Sequence, residues 1–365
     1  MSYKEKMDKN TKIILGIIGC GTIGKFHVRN IFHNFFEVRI KYICDIDIEN
    51  IKIWASEEKF DENIIFTRNY EDILSDGEVN AVIISTQITQ HTDILIKAAQ
   101  AGKNIFCEKQ IGIGPAKIKE AISLAEKNRI KLQVGFHRRF DINYIKAREM
   151  LLNDAIGDIY IVRATTRNPE VLPARYLQKN LFAGHFNEVT SHDFDILRYL
   201  TGAEVEELFA IGKILIEPKF AEVNDYDTIM VNLKFNNNSI GTVDGSMQST
   251  YGFDQRVEIF GSKGCIFINN KVPTQILKYD SHGGSIDKLA NEAWSNKKSN
   301  YSLFYMERYH DAFIREFEEF FKSIKNDTTP ICTGMDGLKN ILICSAAKKS
   351  ADSNLPIKID YSIIL

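Results

Sequence analysis

Three glycines followed by a carboxylate form a pattern that can bind the phosphates and ribose of a dinucleotide. Gly19, Gly21 and Gly24 follow the apolar run 13–18, and Asp45 lies 21 positions after Gly24 at the end of a second apolar run. Such glycines allow a tight turn, close approach of a pyrophosphate to the backbone and close packing of the next helix on the strand. The N–H groups that begin that helix attract phosphate. The alternative is a glycine turn in an α/β domain that binds no nucleotide.

Asp45 also indicates which dinucleotide binds. A carboxylate at this position accepts hydrogen bonds from the ribose hydroxyls and repels a 2′-phosphate. No Lys or Arg follows Asp45 before Lys52, so no nearby cation would attract that phosphate. The pattern therefore favours NAD over NADP.

Lys109 is the leading candidate for a catalytic side chain. It follows the apolar run 104–107, and the carboxyl ends of parallel strands are where open α/β sheets bind ligands. A cationic nicotinamide nearby would lower the pKa of this lysine and prepare it for proton exchange. The alternative is a solvated surface lysine.

The remaining cofactor contacts are expected at the same edge of the sheet. Thr86 and His137 also follow apolar runs that we interpret as buried parallel strands. We expect the cofactor to contact this edge and the glycine turn through Gly19, Gly21, Thr22, Ile23, Gly24, Asp45, Thr86, His91, Glu108 and Lys109.

His192 is a second candidate for proton transfer. It lies at the start of a helix predicted over 191–201, with Thr190 or Ser191 as its cap. A helix N-terminus disfavours the imidazolium ion, so the ring would be neutral and able to accept a proton. Glu188 could orient that ring or bind a substrate hydroxyl. The alternative is a histidine that only caps the helix or fills the core.

Two further interpretations involve neighbouring residues. His185, Glu188 and His192 could bind a metal ion if one helix ran through all three, but Gly184 and the cap residues argue for a break, so we predict no metal. His137 and Arg138, at the end of the last parallel strand, could contact substrate or cofactor. They could equally form an ion-paired joint between domains.

The bulk composition is that of an ordinary globular chain of two domains. Its 365 residues include 46 basic and 48 acidic side chains, interspersed, and the net charge of −2 indicates neither nucleic acid nor membrane as a partner. The six cysteines form no C-x-x-C pair, and the polar N-terminus has no signal peptide. We therefore expect a cytoplasmic protein with reduced thiols.

The order of predicted elements divides the chain into two domains. Apolar runs alternate with helical segments as far as residue 137, which predicts an α/β Rossmann domain with a doubly wound parallel sheet over 1–137. Later strands follow one another through hairpin turns, which predicts an α+β domain with a large, open, mostly antiparallel sheet over 138–365. We expect this second domain to bind substrate and, through the uncovered sheet face, to form a homo-oligomer. Near the C-terminus we predict a loop over 279–300 and helices over 301–325 and 337–350.

Several motifs together resemble the glucose–fructose oxidoreductase and inositol dehydrogenase (Gfo/Idh/MocA) family, over nearly the whole chain from Lys12 to Asp360. Some are similar in particular to inositol 2-dehydrogenases. The matching segments are F-C-E-K-Q at 106–110 against F-C-E-K-P, residues 132–141 against V-G-F-N/H-R-R-F-D, the stretch 167–195 against R-D-P…Y…G-G-x-F-x-D-x-x-x-H-D-x-D, and Arg308-Tyr309 with Asp336-Gly337 in the C-terminal helices.

This resemblance implies an NAD-dependent oxidation of a secondary alcohol on a polyol or sugar. By position it implies a catalytic set of Lys109, Glu188 and His192. We expect Tyr176, His137, Arg138 and the additional imidazole of His185 near the substrate. In the implied mechanism His192 takes the hydroxyl proton while Lys109 hydrogen-bonds the oxygen and offsets developing charge. The family also forms tetramers through the open sheet, so a tetramer or dimer is expected.

Departures from the family pattern leave the substrate open. Glu188 replaces an aspartate, Gln110 replaces a proline, Ala183 replaces a glycine and His185 adds an imidazole. A modified sugar, an amino sugar or another polyol fits as well as myo-inositol. Two alternatives remain: a reductase of a keto-sugar or nucleotide-linked sugar, and a non-catalytic NAD-sensing regulator.

Overall fold

The chain folds into two compact units whose boundary is crossed more than once. A computed structural model describes residues 13–60, 63–171, 176–178, 182–269, 276–280, 283–287 and 305–364. The first unit contains residues 13–136 and Phe313–Leu338, and the second contains the described parts of His137–Ala312 and Lys339–Ile363. A single boundary after residue 137 therefore does not account for Phe313–Leu338, which packs with the first unit.

The first unit is built on a parallel sheet of six strands in the order β3-β2-β1-β4-β5-β6. The strands are β1 (Ile13–Ile18), β2 (Val38–Cys44), β3 (Ile65–Thr67), β4 (Ala81–Ile84), β5 (Asn104–Glu108) and β6 (Leu132–Gly135). The order reverses between β1 and β4, which creates a crevice at the carboxyl ends of these two strands. The predicted doubly wound Rossmann sheet is confirmed.

The helices of the described residues follow the strands in chain order. They are α1 (Thr22–Asn34), α2 (Ile48–Glu57), α3 (Glu71–Ser75), α4 (Ile88–Gln100), α5 (Pro115–Lys127), α6 (Ile142–Leu152), α7 (Ser191–Thr201), α8 (Tyr305–Arg308), α9 (His310–Asn326) and α10 (Gly334–Ser353). None of these helices is both long and apolar enough to cross a membrane.

Helix α9 belongs to the first unit because its apolar face completes that unit's core. Phe317, Phe320 and Phe321 pack in one cluster with Ile17 of β1 and Phe106 of β5. Full burial of a phenylalanine contributes roughly 1.5–3 kcal/mol, so three such side chains hold the helix firmly.

The second unit is built on a nine-stranded sheet in the order β14-β13-β12-β11-β7-β10-β9-β8-β15. Its strands are β7 (Ile159–Arg167), β8 (Val205–Lys213), β9 (Thr228–Phe235), β10 (Ile240–Ser246), β11 (Asp254–Gly261), β12 (Gly264–Ile268), β13 (Ile276–Asp280), β14 (Gly283–Asp287) and β15 (Ile357–Lys358). Only β7 and β10 pair in parallel, and the other pairs are antiparallel. The predicted open, mostly antiparallel sheet is confirmed.

Two predictions about the C-terminal segments are wrong in detail. The loop predicted over 279–300 contains β14, which pairs with β13; an edge strand can take its hydrogen bonds from a neighbour despite weak local propensity. Residues 288–300 lie outside the described residues. The single helix predicted over 301–325 is two helices, α8 and α9, and 301–304 also lie outside the described residues.

The last long helix begins earlier than predicted because of a capping interaction. Asp336 Oδ2 accepts a hydrogen bond from Thr333 N at 2.9 Å, and Thr333 Oγ1 accepts one from Asp336 N at 3.3 Å. This reciprocal pair satisfies N–H groups at the start of α10 and extends the helix back to Gly334.

Candidate active site

The glycine turn between β1 and α1 has the geometry that a bound pyrophosphate requires. Gly19 has φ +90°, and a Cβ there would lie 2.6 Å from Thr86 N, so the fold itself requires glycine. A Cβ at Gly24 would collide with the Gly19 carbonyl, so Gly24 is required for the same reason. A Cβ at Gly21 would meet no described atom within 4 Å. The fold does not need Gly21, and the open space above it fits a phosphate at a helix start.

Gly21→Val should therefore weaken NAD binding without harming the fold. We expect the NAD+ dissociation constant to rise about a hundredfold, equivalent to about 2.7 kcal/mol, because the side chain occupies the pyrophosphate position. Gly77→Val is the matched control, since a Cβ at Gly77 also meets nothing within 4 Å. Calorimetric titration with NAD+ and thermal melting measure the two effects. Equal affinity in the two variants would contradict the assignment of this turn to the cofactor.

Asp45 is held against the glycine turn. Its Oδ2 accepts a hydrogen bond from Cys20 N at 2.6 Å, and its Oδ1 accepts one from Asp47 N at 2.9 Å. The carboxylate thus sits beside the turn, as a ribose-binding acid must. Burial and the charge of Asp45 raise the pKa of the Cys20 thiol to about 12, so this cysteine stays uncharged and unreactive.

His91 bridges the loops after β4 and β5 through its two ring nitrogens. The ring is 2% exposed, with Nδ1 2.7 Å from Gln110 O and Nε2 2.9 Å from Thr86 O. A buried ring between two backbone carbonyls has a structural role. The geometry therefore does not favour the direct cofactor contact predicted for His91, although it fixes the backbone next to Thr86 and Lys109.

Glu108 faces inward and Lys109 is half-buried at the end of β5. Glu108 Oε2 accepts a hydrogen bond from Lys109 N at 3.0 Å, and Glu108 Oε1 lies 2.7 Å from His27 Nε2. Glu108 therefore anchors the Lys109 backbone, which differs from the predicted cofactor contact. Lys109 itself follows the strand next to β4, at the carboxyl edge where such sheets bind ligands.

In the second unit, His192 lies in an aromatic group with His137. The two imidazole rings have centroids 4.8 Å apart and an interplanar angle of 61°, and the Tyr309 ring centroid lies 4.8 Å from that of His137. His137 is 5% exposed, whereas His192 is half-buried. His137 and His192, which the sequence indicated as two separate candidates, are therefore neighbours in the structure. Tyr309 is a further neighbour that the sequence analysis did not identify.

The predicted bounds of the helix that carries His192 are confirmed, because α7 is Ser191–Thr201, but the predicted cap is wrong. Five residues of π-helix, Phe186–Thr190, run directly into α7, so His192 lies inside a continuous helical segment. The hydroxyl of Ser191 donates to Asn187 O at 2.7 Å instead of capping. The argument from an exposed helix N-terminus therefore does not apply, and contact with the His137 ring positions His192 instead.

His185 and Arg138 are buried structural residues. Burial lowers the pKa of His185 to about 4, and its Nδ1 lies 3.1 Å from Tyr226 O, so the ring is neutral and turned into the core. Arg138 is 3% exposed and donates to Asp193 Oδ1 at 2.6 Å, which is an ion pair within the second unit. Neither arrangement favours the substrate contact predicted for these two residues.

The side chains of Glu188 and Tyr176 are both partly exposed to solvent. Glu188 is half-buried, with Oε1 accepting from Ala183 N at 3.4 Å, and Tyr176 is 44% exposed. His185, Glu188 and His192 do not form a metal-type cluster. In the described part of the chain, such a cluster is formed by His27, Glu108 and Glu316.

Sequence reasoning missed His27 and Glu316, although a signal for Glu316 existed. This acid lies on the same helical face as Phe313 and Phe320, three positions after one and four before the other. An acidic residue within an aromatic stripe is a buried charge in need of an explanation.

Comparison with known proteins covers both units. A family model described as an oxidoreductase family NAD-binding Rossmann fold matches residues 13–136, and that family's C-terminal α/β domain matches residues 148–359. An uncharacterised oxidoreductase of Bacillus subtilis is 35% identical over 96% of this chain and 98% of its own length. A myo-inositol 2-dehydrogenase of Thermotoga maritima is 33% identical over 96% of this chain and 99% of its own length.

A solved structure gives the same result. The crystal structure of a probable dehydrogenase from Thermotoga maritima superposes with a TM-score of 0.83 at 32% identity, covering 95% of this chain and 99% of the other. The resemblance noted in the sequence is confirmed. With its NAD-binding Rossmann unit and its α/β C-terminal unit, the chain belongs to the Gfo/Idh/MocA family of oxidoreductases.

Proposed function

We propose that this protein is an NAD-dependent dehydrogenase that oxidises a secondary alcohol of an inositol-like polyol or sugar to a ketone. The observation that carries the proposal is similarity over almost the whole length to a myo-inositol 2-dehydrogenase. The open space above Gly21 and the placement of Lys109 at the carboxyl edge of the sheet support it. A whole-length relationship makes the same reaction class the simplest expectation, while residue differences leave the particular polyol open.

The chain supplies two proton-handling groups for this reaction. NAD+, which the glycine turn and Asp45 would hold, would supply the acceptor for the hydride of the carbinol carbon. His192 accepts the hydroxyl proton, and Lys109 donates a hydrogen bond to the same oxygen, which offsets its developing negative charge. The Glu188 carboxylate binds a neighbouring hydroxyl or orients His192, and Tyr176 offers a further hydroxyl contact. The substrate loses one hydride and one proton. The products are therefore a ketone and NADH, and the proton remains on the His192 ring.

The test is a substrate panel with both nucleotides. Purified protein is incubated with inositol isomers, aldoses and amino sugars, each with NAD+ and with NADP+, and absorbance of the reduced nucleotide is followed. We expect turnover with a cyclic polyol or sugar and preference for NAD+ because of Asp45. Keto-sugar substrates with NADH in the reverse direction test the reductase alternative. Absence of turnover with every compound in both directions would contradict the proposal and favour a sensing role.

We propose further that the protein is a cytoplasmic homo-oligomer joined through the uncovered face of the large sheet. On that face, Ile211 and Met230 lie opposite each other in register and are 45% and 57% exposed, and Ile240 and Phe260 are 54% and 43% exposed. Apolar side chains in neighbouring strands are poorly suited to water, so a second copy of the sheet is the natural cover. The six free cysteines suit a reducing compartment.

The double variant Ile211→Asp with Met230→Asp should dissociate the oligomer. Four buried carboxylates would face one another across a twofold interface, which is strongly unfavourable. We expect light scattering after size exclusion to give a dimer or tetramer for the natural protein and a smaller species for the variant. Leu152→Asp, at an exposed position at the end of α6, is the control and should leave the mass unchanged. A monomeric natural protein would contradict this assembly.

A further inference from the structure

Glu316 is a fully buried acid whose carboxyl oxygens accept no hydrogen bond from the described residues. It lies on α9 with 0% exposure, and both Oε1 and Oε2 are without a donor. An ionised carboxylate in such a place is far less favourable than a neutral carboxylic acid, because no donor among the described residues replaces its lost hydration. The Glu316 carboxyl group must therefore carry a proton or pair with a cation.

Two titratable groups of the described residues face Glu316, and both belong to the first unit. They are Glu108 of β5 and His27 of α1, and one polar atom from each of the three side chains lies within 4.8 Å of the other two. The His27 ring is packed edge-on against Phe317 at 4.8 Å and Phe106 at 5.8 Å. The cluster is thus enclosed by aromatic side chains, where electrostatic effects are strong.

A shared metal ion does not suit this geometry. His27 Nε2 and Glu108 Oε1 are 2.7 Å apart, which is a hydrogen-bond distance. Two atoms that each ligate a tetrahedral zinc ion at about 2.1 Å would be about 3.4 Å apart. The contact between His27 and Glu108 therefore contains a proton, and Nε2 is the donor if Glu108 is ionised.

The hydrogen bonds decide which of the two acids is ionised. Glu108 accepts from His27 and from the Lys109 N–H, and both bonds stabilise its anion. Glu316 has no such donor, and burial together with the charge of Glu108 raises the pKa of Glu316 well above its ordinary value. Two carboxyl groups this close in an apolar interior share one negative charge, and that charge resides on Glu108.

We propose that Glu316 carries a proton at neutral pH and is a positioning residue for Lys109. A neutral Glu316 leaves Glu108 as the single buried anion, and Glu108 then holds the Lys109 backbone through its Oε2. If Glu316 were ionised, repulsion between the carboxylates would displace Glu108 and loosen the Lys109 segment. The effect on turnover rests on the proposed dehydrogenase function, whereas the buried proton does not.

The test compares the natural protein with Glu316→Gln and Glu316→Leu. Glutamine keeps the shape and neutrality of a protonated glutamate, whereas leucine removes the polar group. Because both variants are neutral and leave Glu108 as the single buried anion, we expect each to keep kcat within about threefold at neutral pH, with little change in NAD+ affinity. Infrared spectroscopy should detect a protonated-carboxyl C=O band in the natural protein that is missing from Glu316→Gln.

The pH dependence of the unfolding midpoint distinguishes a buried proton on Glu316 from a role in packing alone, because packing alone would not make the midpoint depend on pH. The folded-state pKa of Glu316 lies above its unfolded value, so its stabilising contribution is complete below the unfolded pKa and is lost as pH rises. The unfolding midpoint of the natural protein should therefore fall relative to that of Glu316→Gln as the pH rises above the ordinary range of a glutamate pKa.

Several outcomes would overturn the proposal. They are an infrared band unchanged in Glu316→Gln, a kcat of Glu316→Gln lowered about tenfold or more at neutral pH, or a stoichiometric metal in the purified protein. If no variant or natural protein turns over any substrate, but the band is present and lost in Glu316→Gln, the proposed function fails while the buried proton is supported.

Discussion

Replacing Lys109 by alanine is expected to lower kcat about a thousandfold while NAD+ still binds. Proton transfer and charge stabilisation by one positioned group are each worth about 10²- to 10⁴-fold, and Lys109 is proposed to stabilise the oxygen of the reacting alcohol. Its backbone is anchored by Glu108 independently of the side chain, so the loop should remain in place. Steady-state kinetics with the best substrate of the panel, together with NAD+ titration, measure the two effects.

Lys117→Ala is the matched control for this prediction. Lys117 also belongs to the first unit, is 61% exposed and pairs with the exposed Asp93 on the neighbouring helix. Its loss should leave kcat within about twofold, because an exposed ion pair contributes little. If Lys109→Ala keeps more than about a third of the natural kcat, Lys109 is not a catalytic residue and the proposed mechanism must be abandoned.

His192→Ala is expected to be comparably damaging and partly reversible by added imidazole. Removing a general base costs about 10²- to 10⁴-fold, and the deleted ring leaves a space next to His137 that a free imidazole can occupy. We expect NAD+ affinity to be unchanged, because the glycine turn belongs to the first unit. Turnover measured against imidazole concentration gives the rescue directly.

An exposed histidine serves as the control. His33→Ala removes a ring near the end of α1 and should leave turnover unchanged with or without imidazole. A kcat of His192→Ala within about threefold of the natural value would rule out His192 as the base. A large loss without rescue, together with a lowered unfolding midpoint, would instead assign His192 a structural role.

Local spacing predicted the first unit well because its signals are carried by neighbouring residues. The glycine turn, the buried strand β4 and the acid after β2 are each defined within a few positions, and the parallel order follows from their alternation with helices. The position of Lys109 at the carboxyl edge follows from the same alternation. No partner distant in sequence is needed for any of these inferences.

The cap of the helix that carries His192 was mispredicted because distant partners outweigh local preferences. Thr190 and Ser191 are typical capping residues, but the Ser191 hydroxyl bonds within the helical segment. Asn340 of α10 donates to Ser191 O at 2.8 Å from 149 positions away. A capping rule considers only about four or five adjacent residues, so it does not include a contact with a residue so distant in the sequence.

The sequence by itself determined the Rossmann unit, the nucleotide turn and the edge on which Lys109 lies, because these depend on the order and spacing of residues along the chain. Only the tertiary structure decided which polar side chains are buried in partnerships. Arg138 pairs with Asp193 across 55 positions, and Glu316 meets Glu108 and His27 through a helix that packs back on the first unit. A buried charge is defined by partners that folding brings close, and spacing along the chain does not encode them.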